Sequence, residues 1–331
     1  MKLYLLPIAF AAFASTANAS CGTAFCSVNT QWDTQGLSSN QGLRIDLRYS
    51  YAKADQFRAG SSRITPEQPS GSDEEIEDKR TVNQILDIDA EYTINPRWNI
   101  ELGVPVVMRD HTHTFDSSVS APFTQEAKFD SLGDVRVVAK YKFDLGSITS
   151  GSGIRFGVKL PTGAIDKTMS PPDPADPTVP YALERSSQPG SGSTDAILGA
   201  YYFRSYPEKE WGWFASAQAQ SAVSIRDDYR PGRMLGLDLG VHRSLTPSLS
   251  GLLQLNAQQR ARDSGSNANP ASGGYSWNLS PGLSYELTPQ WQVYGFVQLA
   301  LKQYANPDSD VPGSGQLTAP WSVSLGVARR Y

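Results

Sequence analysis

Apolar side chains recur at every second position in stretch after stretch of this 331-residue chain. Residues 42–52 put Leu43, Ile45, Leu47, Tyr49 and Tyr51 on one face and Arg44, Asp46 and Arg48 on the other. The next such run sets Leu86, Ile88, Ala90, Tyr92 and Ile94 against Asp87, Asp89 and Glu91. It is followed by Trp98, Ile100, Leu102, Val104, Val106 and Met108, then by Val135, Val137, Ala139, Tyr141 and Phe143, then by Ile154, Phe156, Val158 and Leu160. The pattern returns near 195–205, 211–223, 233–243, 249–260, 275–287 and 291–303, and again from Trp321 to Tyr331. A period of two marks strands with unlike faces, so about twelve strands are expected.

The connections alternate as well. Five are tight (95–97, 144–153, 205–210, 245–248 and 287–290), and six are long and polar (54–80, 109–131, 162–193, 224–232, 261–274 and 304–318). Short turns at one end and long loops at the other are expected of an up-and-down antiparallel β-barrel in an outer membrane, with turns in the periplasm and loops outside. Aromatics sort by height. Tyr92, Tyr141, Phe143, Tyr202, Tyr285, Trp98, Trp211, Trp213 and Trp291 gather at the short-turn end, and Tyr49, Tyr51, Tyr275, Trp277 and Trp321 at the other. Two such levels are the girdles of a membrane barrel. The alternation also fixes the phase. Turning the strands over would place many charges in lipid, at about 2–4 kcal/mol for each basic residue near the midplane. The last strand, ending on Tyr331, resembles the carboxy-terminal signal of outer-membrane barrels; Arg329 lies near its end, where it can snorkel. Pro105 and Pro281 fall inside predicted strands, and proline cannot donate to a ladder. Each is expected to mark a bulge, or to lie outside the strand proper, or to kink the wall open sideways.

The first residues set the compartment. Lys2, an apolar run and Ala17-Asn18-Ala19 form a secretory signal peptide, so 1–19 is expected to be removed and the chain exported. Residues 20–41 are then a periplasmic segment and 42–331 the barrel of a Gram-negative outer membrane. Cys21 and Cys26, the only cysteines, are expected to form a small disulfide loop. A formal net charge of -4 gives no reason to expect nucleic acid. The expected partners are outer-membrane lipid and lipopolysaccharide, a small-molecule solute, and the barrel-assembly machinery during insertion.

The inward faces carry the candidate chemistry. One half of the lumen is charged: Arg44, Arg48, Asp87, Asp89, Glu91, Glu101, Arg136, Lys140, Lys142, Arg155 and Lys159. The other half is mostly neutral, with Gln218, Gln254, Asn256, Gln298, Tyr294 and Phe296, and with Asp238 and His242 on one face. Mixed polarity with a few aromatics suits a small amphipathic solute; opposite charges on neighbouring strands equally serve to neutralise and fill the lumen. His111 and His113 share one side of an extended segment placed in a loop, without the further ligands a metal site needs, and neither they nor His242 has an obvious serine partner. No metal, cofactor or catalytic residue is expected. The alternatives carried beside a channel are an outer-membrane lipase or deacylase and a structural sheath around a partner protein.

Three motifs add specificity: Gly133-Asp134 opening a strand, Leu160-Pro161-Thr162-Gly163 closing the next, and Gly192 to Asp195 after a long loop. In this order they resemble an outer-membrane barrel family named for the MetA pathway of phenol degradation. The resemblance spans roughly 85–331 and is clearest at 131–201. It implies a transporter, linked in some members to aromatic or hydrophobic compounds. Gly133, Asp134, Pro161, Thr162 and Gly163 are expected to anchor a long loop to the rim, since glycine permits turns and close approach and Pro161 stops the ladder.

Overall fold

The computed structural model describes residues 28–37, 42–65, 74–172, 174, 177–308 and 314–331. The expected signal peptide and both cysteines lie outside the described residues. The barrel strands are β1 (Gly42–Ala54), β2 (Glu74–Asn95), β3 (Trp98–Asp116), β4 (Phe123–Leu132, resuming as Arg136–Lys142), β5 (Ser150–Lys159) and β6 (Thr194–Tyr206). The rest are β7 (Trp211–Ser224), β8 (Met234–Ser244), β9 (Leu249–Arg260), β10 (Gly274–Glu286), β11 (Trp291–Ala305) and β12 (Trp321–Arg330). Each strand pairs antiparallel with the next, and β12 returns to β1, closing a barrel of twelve. Closure removes every edge within the membrane, where no water can satisfy a free backbone group.

The predicted phase holds. Leu47, Leu102, Leu198, Leu237, Leu253 and Leu325 are exposed to the outside, while Arg44, Arg48, Asp87, Asn256 and Gln298 point inward and are buried. Both girdles form as packed rings. Trp98 meets Tyr141 at 4.9 Å and Tyr206 stacks on Trp211 at 4.7 Å; at the other end Tyr51 meets Trp321 at 5.8 Å and Tyr275 stacks on Tyr304 at 5.1 Å. Arg329 lies over the rings of Trp291 and Tyr331 at 5.1 and 4.5 Å, so its charge rests on aromatic faces at the rim.

The outer end departs from the sequence reading. The stretch 109–131, expected to be a loop, is largely strand: β3 runs on to Asp116 and β4 starts at Phe123. His111 and His113 are therefore ladder residues, His111 bonded to Thr81 at 2.8 Å and His113 to Gln125 at 2.6 Å. Beyond the membrane the strands lose their lipid face, so the alternation that marks them vanishes.

Pro105 does face a bulge. Gly103 pairs with Arg136 and Val106 with Leu132, so three residues of β4 oppose two of β3. The Gly133 amide still donates to the Pro105 carbonyl at 2.8 Å. Pro281 shifts no register; the irregularity in its strand lies at Trp277/Asn278.

Candidate functional site: a filled lumen and a wall built from a loop

Residues 28–37, placed by the sequence reading in the periplasm, run through the barrel interior. The correction has a physical cause. Trp32 is too large and apolar to stay in water, and the lumen supplies an aromatic wall. It is 2% exposed, edge-on to Tyr294 at 4.9 Å and beside Phe296 and Leu252. Burying such a ring contributes about 4–6 kcal/mol by area. Polar neighbours fix the register. The Asn29 amide donates to Ser216 Oγ at 3.0 Å and Asp238 Oδ2 at 3.1 Å, and Gln254 Nε2 donates to the Asn29 carbonyl at 2.8 Å. Arg155 donates to Gln31, and Arg48 to Thr30. Gly36 sits at φ 76°, where a Cβ would lie 2.5 Å from the Phe203 ring, so the segment turns at a position only glycine fits.

The charged inward residues form ion pairs rather than an open charged path. Arg48 meets Asp87 at 2.7 Å, with Arg136 on the other oxygen at 3.2 Å. Lys140, 2% exposed, holds three carboxylates: Asp33 and Glu101 at 3.0 Å and Glu91 at 3.7 Å. Arg44 pairs with Asp46 at 2.9 Å, and Tyr294 donates to the same carboxylate at 2.6 Å. Asp238 accepts from Asn29, Ser216 and Asn256, not from His242, which shares its face of the strand. Asp33 and Trp32 escaped the sequence reading. The signal available was a lone tryptophan among polar residues just ahead of the first strand.

Among the described residues, three cavities lie between these plugs of side chains. The outer one, about 290 Å3, is lined by Lys159, Arg185, Pro189, Tyr229, Met234 and Gln258, among others. The central one, about 240 Å3, lies among Arg48, Asp89, Glu101, Arg136 and Arg155 and shares Met234 and Gln258 with the first. The inner one, about 160 Å3, shares Arg44 and Glu91 with the second. In the outer cavity Arg185 lies over the Tyr229 ring at 5.2 Å. Burial, and then the Asp263 carboxylate that accepts its proton, push the Tyr229 phenol up from its ordinary pKa.

The motif residues meet beside this outer cavity. Thr162 Oγ1 donates to the Gly133 carbonyl and accepts from the Val135 amide, both at 2.9 Å. Asp134 accepts from the Gly163 amide at 3.1 Å, from the Ser191 amide at 2.9 Å and from its hydroxyl at 2.7 Å. Lys159 joins Asp134 at 3.0 Å and Asp195 at 3.1 Å. Gly163 packs on Gly190 so closely that a Cβ on either would meet backbone within 2.6 Å. Strand β5 ends at Lys159, just ahead of Pro161, and β6 enters only at Thr194. Above that level the upper half of β4 pairs with β3 on one side, and on the other it bridges Ser170. The wall there is built by the described residues of 161–193, in which Thr168–Met169 pairs with Tyr181–Ala182 and Ser170 alone exchanges backbone bonds with Glu126 of β4, the rest being fastened to the barrel largely by side chains.

The family model described as "Putative MetA-pathway of phenol degradation" matches residues 110–307. Among solved structures, the COG4313 outer membrane channel from Pseudomonas putida F1 superposes with a TM-score of 0.63 at 14% identity, over 92% of this chain and 100% of that one. The CymD monoaromatic hydrocarbon channel gives 0.50 at 11% identity, over 97% and 99%. A TodX deltaS2S3 mutant monoaromatic hydrocarbon channel gives 0.50 at 10%, over 96% and 98%. These likenesses speak to the fold. No curated protein matches the chain.

Proposed function

Since the chain belongs to the phenol-degradation MetA-pathway family, and since its barrel carries a loop-built wall beside a filled lumen, we propose that it is an outer-membrane transporter for small aromatic or amphipathic solutes. The hydrocarbon channels with this fold support the choice of solute class. The observation that carries the route is the contrast between two exits. Downward, an apolar ring meets the ion pairs around Arg48 and Lys140 and the segment that holds Trp32. Such charges cannot give up their partners to an apolar ring without a large penalty. Sideways, it meets glycine-packed, side-chain-pinned backbone at Gly133, Gly163 and Gly190. A solute captured in the outer cavity leaves sideways at the foot of that wall, past these glycines, where Leu132 and Leu160 still face outward.

The reading includes export by residues 1–19, a Cys21–Cys26 disulfide, insertion by the barrel-assembly machinery, and lipopolysaccharide around the outer rim of a Gram-negative cell. The inward residues from Arg44 to Phe296 act as filling and as a barrier to ions; the motif residues act as the hinge of the side wall. No enzymatic step is assigned. The test is uptake of radiolabelled phenol and toluene by cells with and without the protein at limiting concentration. Faster uptake with the protein is expected. Equal uptake of every aromatic tried would reject the reading.

A further inference from the structure

We propose that the inner cavity, at the periplasmic end of the lumen, binds a small anion that carries an aromatic ring, of the aromatic-carboxylate class. The inference goes beyond the transport reading, which concerns a largely apolar solute in the outer cavity.

The starting point is an imbalance of charge. Arg44 and Arg330 stand directly opposite each other in the β1–β12 ladder, and like charges so placed destabilise a sheet. Both line the inner cavity, with Lys142. The two lining carboxylates, Asp33 and Glu91, both sit on Lys140, and Asp46 occupies Arg44 only through Nη2. Arg44 Nη1 and Arg330 Nη2 are buried with no hydrogen-bond partner among the described residues. Lys142 pairs with no carboxylate among them and lies over the Phe203 ring at 5.5 Å. The chain ahead of β1 cannot supply the missing acid: residues 1–27 and 38–41 contain no Asp or Glu.

Lining cations that outnumber their carboxylates call for an anion in the space between them, and a guanidinium beside a lysine suits a carboxylate. Size and lining select the rest. A cavity of about 160 Å3 is close to the roughly 150 Å3 that holds one benzene ring. The Tyr201 side chain, 7% exposed and facing inward, lines it. A bare inorganic anion would leave that surface unused.

The test is calorimetric titration of the detergent-solubilised protein with sodium benzoate, benzyl alcohol and inorganic phosphate. One saturable benzoate site is expected. Benzyl alcohol, with the ring but no charge, and phosphate, with charge but no ring, should each bind at least about tenfold more weakly. Lys142→Gln and Arg330→Gln should each weaken benzoate about tenfold or more, while folding, read by heat-modifiable gel mobility, and phenol uptake stay unchanged. If Arg330→Gln fails to fold, Lys142→Gln decides alone. No benzoate binding, unchanged affinity in folded Lys142→Gln, or phosphate binding as tightly as benzoate would overturn the proposal. Failure of phenol uptake with benzoate binding intact would strike the transport reading only.

Discussion

Lys140 shows how one side chain ties the filling of the lumen together. Three carboxylates converge on a single buried ammonium. Removing it leaves Asp33, Glu91 and Glu101 facing one another without that charge. Unpairing a buried ion costs about 3–5 kcal/mol, so Lys140→Met should lower the temperature at which the folded gel band converts to the unfolded one. Asp33→Asn should do far less, since Lys140 keeps Glu91 and Glu101. Trp32 makes the complementary case through packing. Trp32→Ala should weaken the seating of residues 28–37 by about 3–5 kcal/mol and leave the barrel's conversion temperature unchanged. Protease cleavage within the segment, against intact barrel, is the measurement. Equal resistance in wild type and variant would mean the ring is not what seats it.

At the scale of elements, the strands were legible and the two segments on which the proposed route depends were not. Leu43 to Tyr51 could be read because lipid and lumen impose opposite polarities on adjacent residues. Residues 28–37 follow no such rule: Trp32 is buried by tertiary contacts with β9 and β11, and only the folded barrel supplies them. His111 and His113 were placed in a loop because strand without lipid carries no alternation. The charged inward residues were legible as a group, and Arg48 does face Asp87. Their shared partner Asp33 was not, since it arrives from a segment with no period. The motifs Gly133-Asp134 and Pro161-Thr162-Gly163 singled out Asp134, though not its contact with Ser191. Asp134→Ala removes one carboxylate from three donors and Lys159. Charge-assisted hydrogen bonds contribute about 1.5–3 kcal/mol each, so local opening of 161–193 should rise at least about tenfold. Faster cleavage of that segment by protease added outside the cell is the expected result, with the barrel intact.

The whole molecule is a closed wall whose outside is lipid-soluble and whose inside is ionic, and the two faces differ in what they tolerate. Leu237 on β8 faces outward and is 45% exposed. Its neighbour Gly236 faces the central cavity, and a Cβ there would meet nothing within 4 Å. Leu237→Arg should therefore cost about 2–4 kcal/mol near the midplane, against about 0.5 kcal/mol or less for Gly236→Ala. Folding into vesicles against urea reads the difference. The same asymmetry governs conduction. With residues 28–37 seated, ions meet paired charges and a buried tryptophan, so the wild type should carry no steady current in a planar bilayer. Deleting residues 28–37 removes Trp32, Asp33 and the Asn29 contacts at once, while the twelve-strand wall keeps its hydrogen bonds. Discrete current steps should then appear. Uptake of phenol should change little, because the outer cavity and the 161–193 wall are untouched. A wild type that conducts as freely as the deletion would show that the segment does not seal the lumen. Phenol uptake that rises in step with ion current would move the solute's path from the side wall to the barrel axis.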